Sequence, residues 1–523
     1  MVLKREISRT QIYNDFDSQE QNYWFDFKKN KFLHNIDTFY YSIKFKNDFT
    51  EDSKDVNVER LRKFFDYQYK LMNRDGNFDN CIPVFFKEVG RNLNLRPFTF
   101  ARFFSVCLEC PDWFDIFIAP KVPHSSDGGE SVTCEMVVQI RSYMLWIYGV
   151  TNAFEKSFEF VKGIADHFNL GIDFVQENRI DFCWHSNYLI NPERFFAPEN
   201  FYKMRVDRFK DALIHTAKVG SEGYEIDYVS MGKRSDKVFI RIYLKSKEVI
   251  EKNYKPWFFH IWLFNGLISR YDFYVYEECY KEHSWQYLDR ARLKFYAEYG
   301  KTYSLRERCR DILSEKVTME EDVLKAFADS ITPKVNLVMN VEYQTMRKHT
   351  KTYQLVPFKD NTTKNVCERI YDYLDNRKLI ADYLTHYTFR MVEASGDINK
   401  SRRDYCAFWA ALRRCKMVDV AIPPKNISLV RNYCRNLNIT IVKKRAINAA
   451  ITYGIYTRGV NEDNVVQDCV ETLCQLNDND IHDAYRYKTK KLRQFNADEL
   501  ADTFISAEKH NYQLLNVDTG EVL

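Results

Sequence analysis

The sequence predicts an α+β protein. We expect a central domain built on an antiparallel sheet with βαβ units, flanked by a mixed N-terminal region and a mostly helical C-terminal domain. Three observations favour this class. Short β-branched and aromatic runs alternate with polar turns in the middle of the chain, a helical stripe separates two of them, and mainly helical periodicity follows residue 282. The expected domains are therefore 1–130, 131–295 and 296–523.

The composition indicates a folded globular protein. Of the 523 residues, 45% are apolar and 29% are charged, which argues against wholesale disorder. No signal peptide opens the chain, and no apolar run reaches the roughly 18 residues of a membrane helix. We therefore expect a cytoplasmic protein with reduced thiols and no membrane partner. Cys107 and Cys110 form a CxxC pair, but no second pair follows at a zinc-ribbon spacing.

Aromatic and charged residues are unevenly distributed. The 40 Phe and 35 Tyr are explained either by AT-rich codons or by aromatic platforms for nucleic-acid bases. The net charge is only +4, but Lys and Arg concentrate in residues 401–460 and acids in residues 461–480. Such blocks are typical of a face that meets phosphates, and equally of a solvated surface.

The N-terminal region has three recognisable elements. Residues 1–35 are expected to form an arm or a peripheral helix, and residues 37–45 a strand that could join the central sheet. Val56 to Met72 has the apolar stripe of an amphipathic helix. A Pro- and Gly-containing loop at residues 123–129 separates this region from the next.

The central domain begins with a strand, helix and strand. Met136 to Tyr148 is rich in strand-forming residues, and Asn152 is a possible N-cap for a helix that Gly171 would end. The next strand, Arg179 to Trp184, leads to Asp181 and His185 on one face.

A helical insertion at residues 193–220 then precedes a hairpin. Its second strand places Phe239, Arg241, Tyr243 and Lys245 on one face by the period of two. The stretch from Lys233 to Lys247 contains six Lys or Arg and only one Asp, which predicts an anion site. A tyrosine beside a phosphodiester there can act as a nucleophile, or the basic strand can simply contact a nucleic-acid backbone.

After the hairpin the alternation predicts two more strands, at residues 257–264 and 269–276, and then mainly helices. The predicted helices are residues 290–299, 303–313 and 405–414, with a lone strand at 336–344. A further helical stretch at 429–437 would allow a helix-turn-helix, a pattern that is also common in protein cores. A basic tail patch comprises Arg486, Lys488, Lys490, Lys491 and Arg493.

The hairpin run resembles the G-S-R-x-S-D-x-Y-x-R-I-Y-D-K signature of the Rep_trans family, the rolling-circle replication initiators and related relaxases of conjugative elements. The matching residues are Gly232, Arg234, Ser235, Asp236, Arg241, Ile242, Tyr243 and Lys245. Residues 178–185 are similar to the family's R-I-D-x-x-x-D strand, and residues 269–276 to its R-x-E-x-E strand. The resemblance covers roughly residues 133–282.

The resemblance implies a protein that binds a double-stranded origin, nicks one strand with a tyrosine and stays attached to the 5′ phosphate. Tyr243 would be the nucleophile and Arg241 would assist it, with Mg²⁺ or Mn²⁺ on Asp181 and Asp272 and with His185 as a further candidate ligand. The DNA at the nick would become single-stranded, and a host helicase, a polymerase and a second copy of the chain are possible partners. The expected DNA-binding residues are Lys233, Arg234, Lys237, Lys245, Lys247, Arg413 and Arg414.

The sequence departs from the family pattern at two positions. His185 stands where the second acid of R-I-D-x-x-x-D is usual, and Leu244 stands where an acid usually follows the tyrosine. A catalytically decayed DNA-binding protein is therefore the main alternative. A structural protein of a phage or another mobile element is a third reading.

Overall fold

The computed structural model describes two compact units. The first unit comprises residues 1–349 and 369–421, and the second comprises residues 350–368 and 422–523. The predicted boundaries after residues 130 and 295 both fall inside the first unit. The residues that the structure describes are 15–16, 18–25, 31–46, 51–74, 82–96, 104–111, 113–119, 134–207, 209, 212–220, 223–234, 236–253, 255–350, 353–357, 364–365, 370–417, 427–431, 447, 449, 451–452, 515–516 and 521–522.

The first unit is built on an 11-stranded antiparallel sheet with helices, which confirms the α+β class. Its strands are β1 (Phe32–Phe45), β2 (Ile82–Phe86), β3 (Arg91–Arg96), β4 (Val106–Cys110), β5 (Phe114–Ile118), β6 (Met136–Ile140), β7 (Ile172–Ser186), β9 (Ala212–Gly220), β10 (Gly223–Met231), β11 (Val238–Leu244) and β12 (Met339–Met346); β8 (Arg205–Asp207) lies outside it. The order in the sheet is β2-β3-β4-β5-β6-β1-β7-β12-β11-β10-β9.

Strand β1 confirms the strand predicted at residues 37–45 and its place in the central sheet. It pairs with β6 on one side and with β7 on the other, both antiparallel. Strands β6 and β7 are thus parallel with β1 between them, and helices α3 (Ser142–Tyr148) and α4 (Val150–His167) connect them. The predicted strand-helix-strand unit is therefore present, with one strand inserted.

Three boundaries in this unit differ from the prediction. The strand at residue 136 ends at Ile140, because the apolar run that follows buries one side of α3, and a short apolar run does not distinguish strand from helix. Helix α4 begins after Gly149 (φ 73°) rather than at Asn152. Beyond its end, Asn169 takes the left-handed conformation (φ 54°) that was expected of Gly171.

Helices flank the sheet in the first half of the chain. Helix α1 (Ser18–Trp24) is the expected peripheral helix, and its Trp24 packs edge-on against Phe295 at 5.0 Å between ring centroids. Helix α2 (Glu51–Arg74) contains the predicted stretch 56–72. The segment 193–220, predicted to be helical, holds the short helices α5 (Pro192–Phe195) and α6 (Pro198–Met204) but ends in strand β9.

The two strands predicted after the hairpin are helices. This segment contains α7 (Lys245–Glu248), α8 (Trp257–Phe264), α9 (Arg270–Lys281), α10 (Leu288–Tyr299), α11 (Tyr303–Leu313) and α12 (Glu321–Ile331). In α9 the buried residues Tyr271, Val275 and Cys279 recur every four positions, the spacing of one helix face. Aromatic residues raise strand propensity, but burial of this face decides the structure. Helices α10 and α11 confirm the predictions for residues 290–299 and 303–313.

The remaining elements of the first unit are helical except for one short strand. They are α14 (Ile370–Asp375), α15 (Arg377–Tyr383), a π-helical turn (Leu384–Thr388), β15 (Phe389–Met391) and α16 (Ala407–Arg414); α13 (Arg347–Thr350) follows β12. Strand β15 pairs with β8. Helix α16 lies within the helix predicted at residues 405–414.

The second unit contains a five-stranded sheet in the order β14-β13-β16-β17-β18. Its strands are β13 (Tyr353–Pro357), β14 (Lys364–Asn365), β16 (Ile427–Arg431), β17 (Leu515–Asn516) and β18 (Glu521–Val522). Residues 429–431 therefore belong to a strand, which corrects the start of the second helix of the predicted helix-turn-helix. The basic tail patch and the loop at 123–129 lie outside the described residues. No helix in the described part of the chain is long and apolar enough to cross a membrane.

Candidate active site

One face of the large sheet carries a cavity of about 450 Å³. Strands β1, β7, β10, β11 and β12 contribute its floor, and the short helix α7 contributes to its wall. A register shift between Ile36 and Thr38 marks a bulge in β1, which lets the neighbouring residues Asp37 and Thr38 both reach the cavity. The charged lining residues are five acids (Asp37, Asp181, Asp227, Glu248 and Glu342) and six bases (Arg179, Arg234, Arg241, Lys245, Lys247 and Lys255).

Tyr243 lies in the wall of this cavity, as the predicted anion site requires. Its hydroxyl donates to Glu342 Oε2 at 3.0 Å and accepts from Asn340 Nδ2 at 2.9 Å. Lys245 Nζ lies 3.4 Å from the same oxygen. Arg241 is two residues away on the same face, and its guanidinium binds Glu342 Oε1 at 2.5 Å. The structure thus brings together Arg241, Tyr243 and Lys245 as predicted, although Lys245 is the first residue of α7 and not part of β11.

Glu342, which contacts both Tyr243 and Arg241, was not among the site residues predicted from the sequence. Its strand was predicted at residues 336–344, but as a lone strand, whereas β12 lies between β7 and β11 in the centre of the sheet. Asn340, Glu342 and Gln344 alternate along it and face the cavity side, opposite Tyr243, Arg241 and Phe239 respectively. The signal in the sequence was this alternation of polar residues. Strand pairing over about a hundred residues of separation could not be read from it.

Asp181 also lines the cavity, on the strand where it was predicted. Both of its carboxylate oxygens accept from Arg179, at 2.9 Å from Nε and 2.5 Å from Nη2. Burial raises the pKa of Asp181 to about 6, the charge of Glu342 adds to this rise, and Arg179 opposes it. Two carboxylates from neighbouring strands therefore act on each other across the cavity, so a positive charge between them would be favoured.

A buried lysine joins the two sides of the cavity. Lys245 is only 1% exposed, and its ammonium group lies 2.6 Å from Glu248 Oε2 and 3.7 Å from Asp37 Oδ2. Asp37 also accepts from Ser142 and from Trp146 Nε1. Burial would raise the pKa of Asp37, but Lys245 and Lys255 together with these contacts lower it overall. Lys245 is thus a structural cation as well as a neighbour of Tyr243.

The environment of Tyr243 does not favour a phenolate by itself. Its side chain is buried, and burial raises its pKa well above the usual value, with further contributions from Glu248 and Glu342. Lys245 and Arg241 only partly oppose this rise. A reaction of the hydroxyl would therefore need a base that accepts its proton, and Glu342 already accepts its hydrogen bond.

The turn before β11 presents the predicted basic residues to solvent. Gly232 has φ 77°, and a Cβ there would meet Phe209 at 2.9 Å and the Val238 carbonyl oxygen at 3.0 Å, so this tight turn requires glycine. Lys233, Arg234 and Lys237 are exposed. Arg234 and Lys247 line the cavity, whereas Lys233 and Lys237 lie outside its lining.

His185 is a core residue and not part of the cavity. It lies on the same strand face as Asp181, but helices α3 and α8 cover that end. Its ring stacks on Trp146 at 4.9 Å between centroids, and its Nδ1 accepts from Trp262 Nε1 at 3.0 Å. Burial and the charge of Lys245 lower its pKa to about 3, so the imidazole is neutral at physiological pH. Its predicted role as a metal ligand is corrected to a structural one.

Asp272 is also displaced from the predicted metal site. It lies in the first turn of α9, where its carboxylate forms a capping box with Ser269. Asn336 also donates to this carboxylate, from its backbone nitrogen to Oδ1 at 2.9 Å and from Nδ2 to Oδ2 at 2.8 Å. The residue is fully buried and does not line the cavity. The expected pairing of Asp272 with Asp181 is therefore corrected, because a helix cap occupies this carboxylate.

We expect Asp272→Ala to lower the free energy of unfolding by about 1–3 kcal/mol, since it removes the N3 member of a capping box and leaves the half-buried amide groups of Asn336 without this acceptor. Urea unfolding measures this loss. Mn²⁺ affinity, measured by calorimetry, should stay unchanged at matched folded fraction. A variant of normal stability with weakened Mn²⁺ binding would instead restore Asp272 as a metal ligand.

The predicted ligand set for Mg²⁺ or Mn²⁺ does not converge. Among the described residues, no group of three or more His, Cys, Asp or Glu side chains could hold a metal ion. Asp181 and Glu342 nevertheless fit one, because Mg²⁺ is usually bound through one or two carboxylates and completes its shell with water and substrate phosphates. The charge of Glu342 raises the pKa of Asp181, so the two carboxylates are close enough for a cation to interact with both.

Arg413 and Arg414 lie away from the cavity, at the end of α16. Arg414 is exposed, whereas Arg413 is half-buried and contacts Tyr405. The structure thus separates these two predicted DNA-binding residues from the basic residues of the hairpin.

Comparisons with known proteins show a distant similarity to solved structures. No protein-family model matches the chain, and no curated protein matches it. Among solved structures, the chain is similar to the rolling-circle replication initiator protein from Geobacillus stearothermophilus, with 9% identity and a TM-score of 0.34 over 75% of this chain and 100% of that chain. Function therefore has to be inferred from the geometry of the cavity itself.

Proposed function

We propose that the chain is a rolling-circle replication initiator that nicks one DNA strand through Tyr243 and forms a 5′-phosphotyrosyl link. The observation that carries this proposal is the hydrogen bond from the Tyr243 hydroxyl to Glu342, in a cavity that six basic side chains line. A hydroxyl bound to a carboxylate base beside cations is the arrangement that nucleophilic attack on a phosphodiester requires.

In the proposed reaction the phenol oxygen of Tyr243 attacks phosphorus and the bond from phosphorus to the 3′ oxygen breaks. The phenol proton passes to Glu342. The departing 3′ oxygen takes a proton from water and becomes the hydroxyl from which a polymerase extends. The new phosphotyrosine keeps one ester bond to the 5′ end, so the reverse reaction can rejoin the strand.

The cations have two tasks. Lys245 is close enough to the Tyr243 oxygen to favour a developing negative charge there. Arg241 is held by Glu342, but its Nε is buried without a partner among the described residues, so it can donate to a phosphate oxygen and keep its ion pair. Arg234 and Lys255 add positive charge around the cavity.

Asp181 and Glu342 would hold Mg²⁺ or Mn²⁺ in this function. The ion would supply positive charge to the non-bridging oxygens of the phosphate. Arg179 and Arg241 pair with these carboxylates here, so they would have to share them with the ion. The proposed partners are double-stranded origin DNA that becomes single-stranded at the nick, a helicase and a polymerase of a bacterial host, and a second copy of the chain.

A DNA-binding protein without nicking activity is the second candidate. Tyr243 is only 7% exposed, its pKa is raised, and arginines occupy both candidate metal-binding carboxylates. In this case the cavity would accept a phosphate of the DNA backbone without cutting it. The two functions share the cavity and differ in whether a covalent bond forms.

A trapped protein–DNA adduct separates the two functions. The protein is incubated with Mn²⁺ and single-stranded fragments of the DNA molecule that carries its gene, so no origin sequence has to be known. After nuclease and protease digestion, mass spectrometry should find a nucleotide on the peptide that contains Tyr243. Bound DNA without any adduct would support the second candidate, and an adduct on another tyrosine would reject Tyr243 as the nucleophile.

A further inference from the structure

A second group of cations lies on the sheet face opposite the cavity. Along β12, Glu342 faces the cavity and its neighbour Tyr343 therefore faces the other side. The Tyr343 hydroxyl donates to the Phe389 carbonyl oxygen at 2.8 Å, which fixes strand β15 on that side. Arg390 follows Phe389 in β15. Burial raises the pKa of Tyr343 well above its usual value, and the charge of the nearby Arg413 opposes this rise.

Four side chains form this group, which we call the back-face cluster: His386, Arg390, Tyr405 and Arg413. Arg413 Nη1 donates to the Tyr405 hydroxyl, and His386 Nδ1 contacts the same oxygen. Arg390 Nη1 lies 3.4 Å from His386 Nε2. If His386 carries its proton on Nδ1, this nitrogen donates to the Tyr405 oxygen and Nε2 accepts from Arg390. The Tyr405 hydroxyl is then free to donate its own proton to another acceptor.

The back-face cluster has two guanidinium groups but no carboxylate partner among the described residues. Arg390 is 6% exposed, and its other hydrogen bonds go to the carbonyl oxygens of His386 and Ser401, at 3.0 and 2.7 Å. Asp382 attracts Arg413, but its carboxylate binds Lys378 at 2.6 Å. The guanidinium charges are therefore met mainly by neutral acceptors.

Four other shielded arginines in the described part of the chain do have carboxylate partners. Arg141, Arg179, Arg241 and Arg292 are all shielded from solvent to a large extent, and each forms an ion pair with an Asp or Glu. A buried charge is costly unless an opposite charge compensates it. The back-face cluster thus lacks an anion that comparable sites in this protein supply from within.

Two further features point to a ligand. Arg413 Nε is buried and has no hydrogen-bond partner among the described residues, so one donor of this guanidinium is unsatisfied. His386 lies in a π-helical turn, a local irregularity that is frequent at functional sites. Burial and the two arginines lower the pKa of His386 to about 2, so the imidazole remains neutral beside them.

We infer that the back-face cluster binds a phosphate group, with the forked guanidinium of Arg413 as the main donor and with Arg390 and the Tyr405 hydroxyl as supporting donors. Arginine matches the tetrahedral oxygens of phosphate in a two-pronged geometry, and a half-buried site strengthens this contact. The phosphate belongs either to a nucleic-acid backbone or to a free anion. This site is independent of the proposed reaction at Tyr243.

The neighbouring residues Arg413 and Arg414 provide a matched pair for the test. Both are cations at the end of α16, but Arg414 is exposed, and its Nε donates to the Ala410 carbonyl oxygen within its own helix. Calorimetric titration of the full chain with inorganic phosphate should show that Arg413→Gln weakens the affinity about tenfold or more. Arg414→Gln should change it by less than about twofold.

Two further variants guard against a folding defect. Arg413→Lys keeps the charge but loses the fork, so we expect intermediate affinity. Tyr405→Phe removes one donor and keeps the ring that Arg413 covers at 4.8 Å, so we expect a smaller loss than for Arg413→Gln. Equal phosphate affinity in Arg413→Gln and Arg414→Gln would overturn the inference, as would the absence of phosphate binding to the wild type and to both variants.

The source of the phosphate is decided by a salt titration with oligo-dT. For a nucleic-acid backbone, Arg413→Gln should reduce the slope of log affinity against log salt by about 0.7, the value for one phosphate contact to a single strand, and by more than Arg414→Gln does. An unchanged slope together with lost phosphate affinity identifies a free anion as the ligand. Neither result depends on nicking at Tyr243.

Discussion

Tyr243→Phe is expected to abolish nicking of a supercoiled plasmid that carries the cognate origin, with a loss of about 10³-fold or more, as for removal of other covalent nucleophiles. The ring stays in place, so the contacts of Tyr243 with Arg241 and with its strand neighbours persist. DNA affinity measured by filter binding should therefore change little. The measurement is the conversion of supercoiled to open-circular DNA in the presence of Mn²⁺.

Tyr228→Phe is the matched control for this experiment. Tyr228 lies directly opposite Tyr243 on β10 and lines the same cavity, so its variant loses a hydroxyl in the same surroundings. We expect it to keep nicking within about threefold, as for loss of a hydrogen bond of ordinary strength. Nicking that survives Tyr243→Phe but not Tyr228→Phe would exchange the roles of the two residues, and survival in both would reject a tyrosine of this cavity.

The position of Tyr243 on its strand could be predicted from the sequence, but the neighbouring Glu342 could not. The alternation in β11 is local, and it correctly placed Arg241 and Tyr243 beside one cavity, which Lys245 reaches from the first turn of α7. Glu342 reaches the same cavity because β12 pairs with β11, and it is 99 positions away from Tyr243 in the sequence. A period of two shows that a residue faces one side of a sheet, but it does not show which strand lies next to it.

The errors after the hairpin have a common physical origin. The segments at residues 257–264 and 269–276 are rich in aromatic residues, which favour strands by propensity. In the structure both are helices of an aromatic core in which Trp262 and Tyr276 are fully buried. Residues 257–264 are apolar nearly all round and show little periodicity, whereas residues 269–276 fit both the alternation of a strand and the four-residue spacing of a helix face. The sequence therefore could not separate a buried helix from a buried strand. The metal-ligand role of Asp272 was implied by the resemblance of this segment to the R-x-E-x-E strand, and it fails because the segment is a helix.

The fold around the cavity was predictable where one element provides its own signal. Strand β1, the helix-connected strands β6 and β7, and the hairpin of β10 and β11 all follow from local alternation, turns and stripes. The prediction that β1 joins the sheet is confirmed by its pairing with β7, which sets Thr38 opposite Asp181. The bulge that also turns Asp37 into the cavity is a feature of pairing, and sequence alternation alone would have placed Asp37 on the other face.

Lys245→Met is expected to destabilise the protein by about 3–5 kcal/mol, the usual effect of removing one partner from a buried ion pair. Methionine has a similar length, so the packing against Phe258 is largely retained. The loss arises because Asp37 and Glu248 keep their charges in the cavity wall without the cation between them. Lys247→Met is the control in the same short helix, and we expect a change within about 1 kcal/mol because that residue is only half-buried.

The difference between the wild type and Lys245→Met should also depend on pH in a defined direction. Because Lys245 helps to lower the pKa of Asp37 below its ordinary value, their attraction stabilises the folded state fully above about pH 4, the pKa of an unfolded aspartate. This contribution is lost as the pH falls through the lower pKa of folded Asp37. Urea unfolding should therefore give a constant difference between about pH 6 and 8 and a smaller one below about pH 4. A difference that stays constant as the pH falls below about 4 would show that Lys245 stabilises the fold by packing and not by its charge.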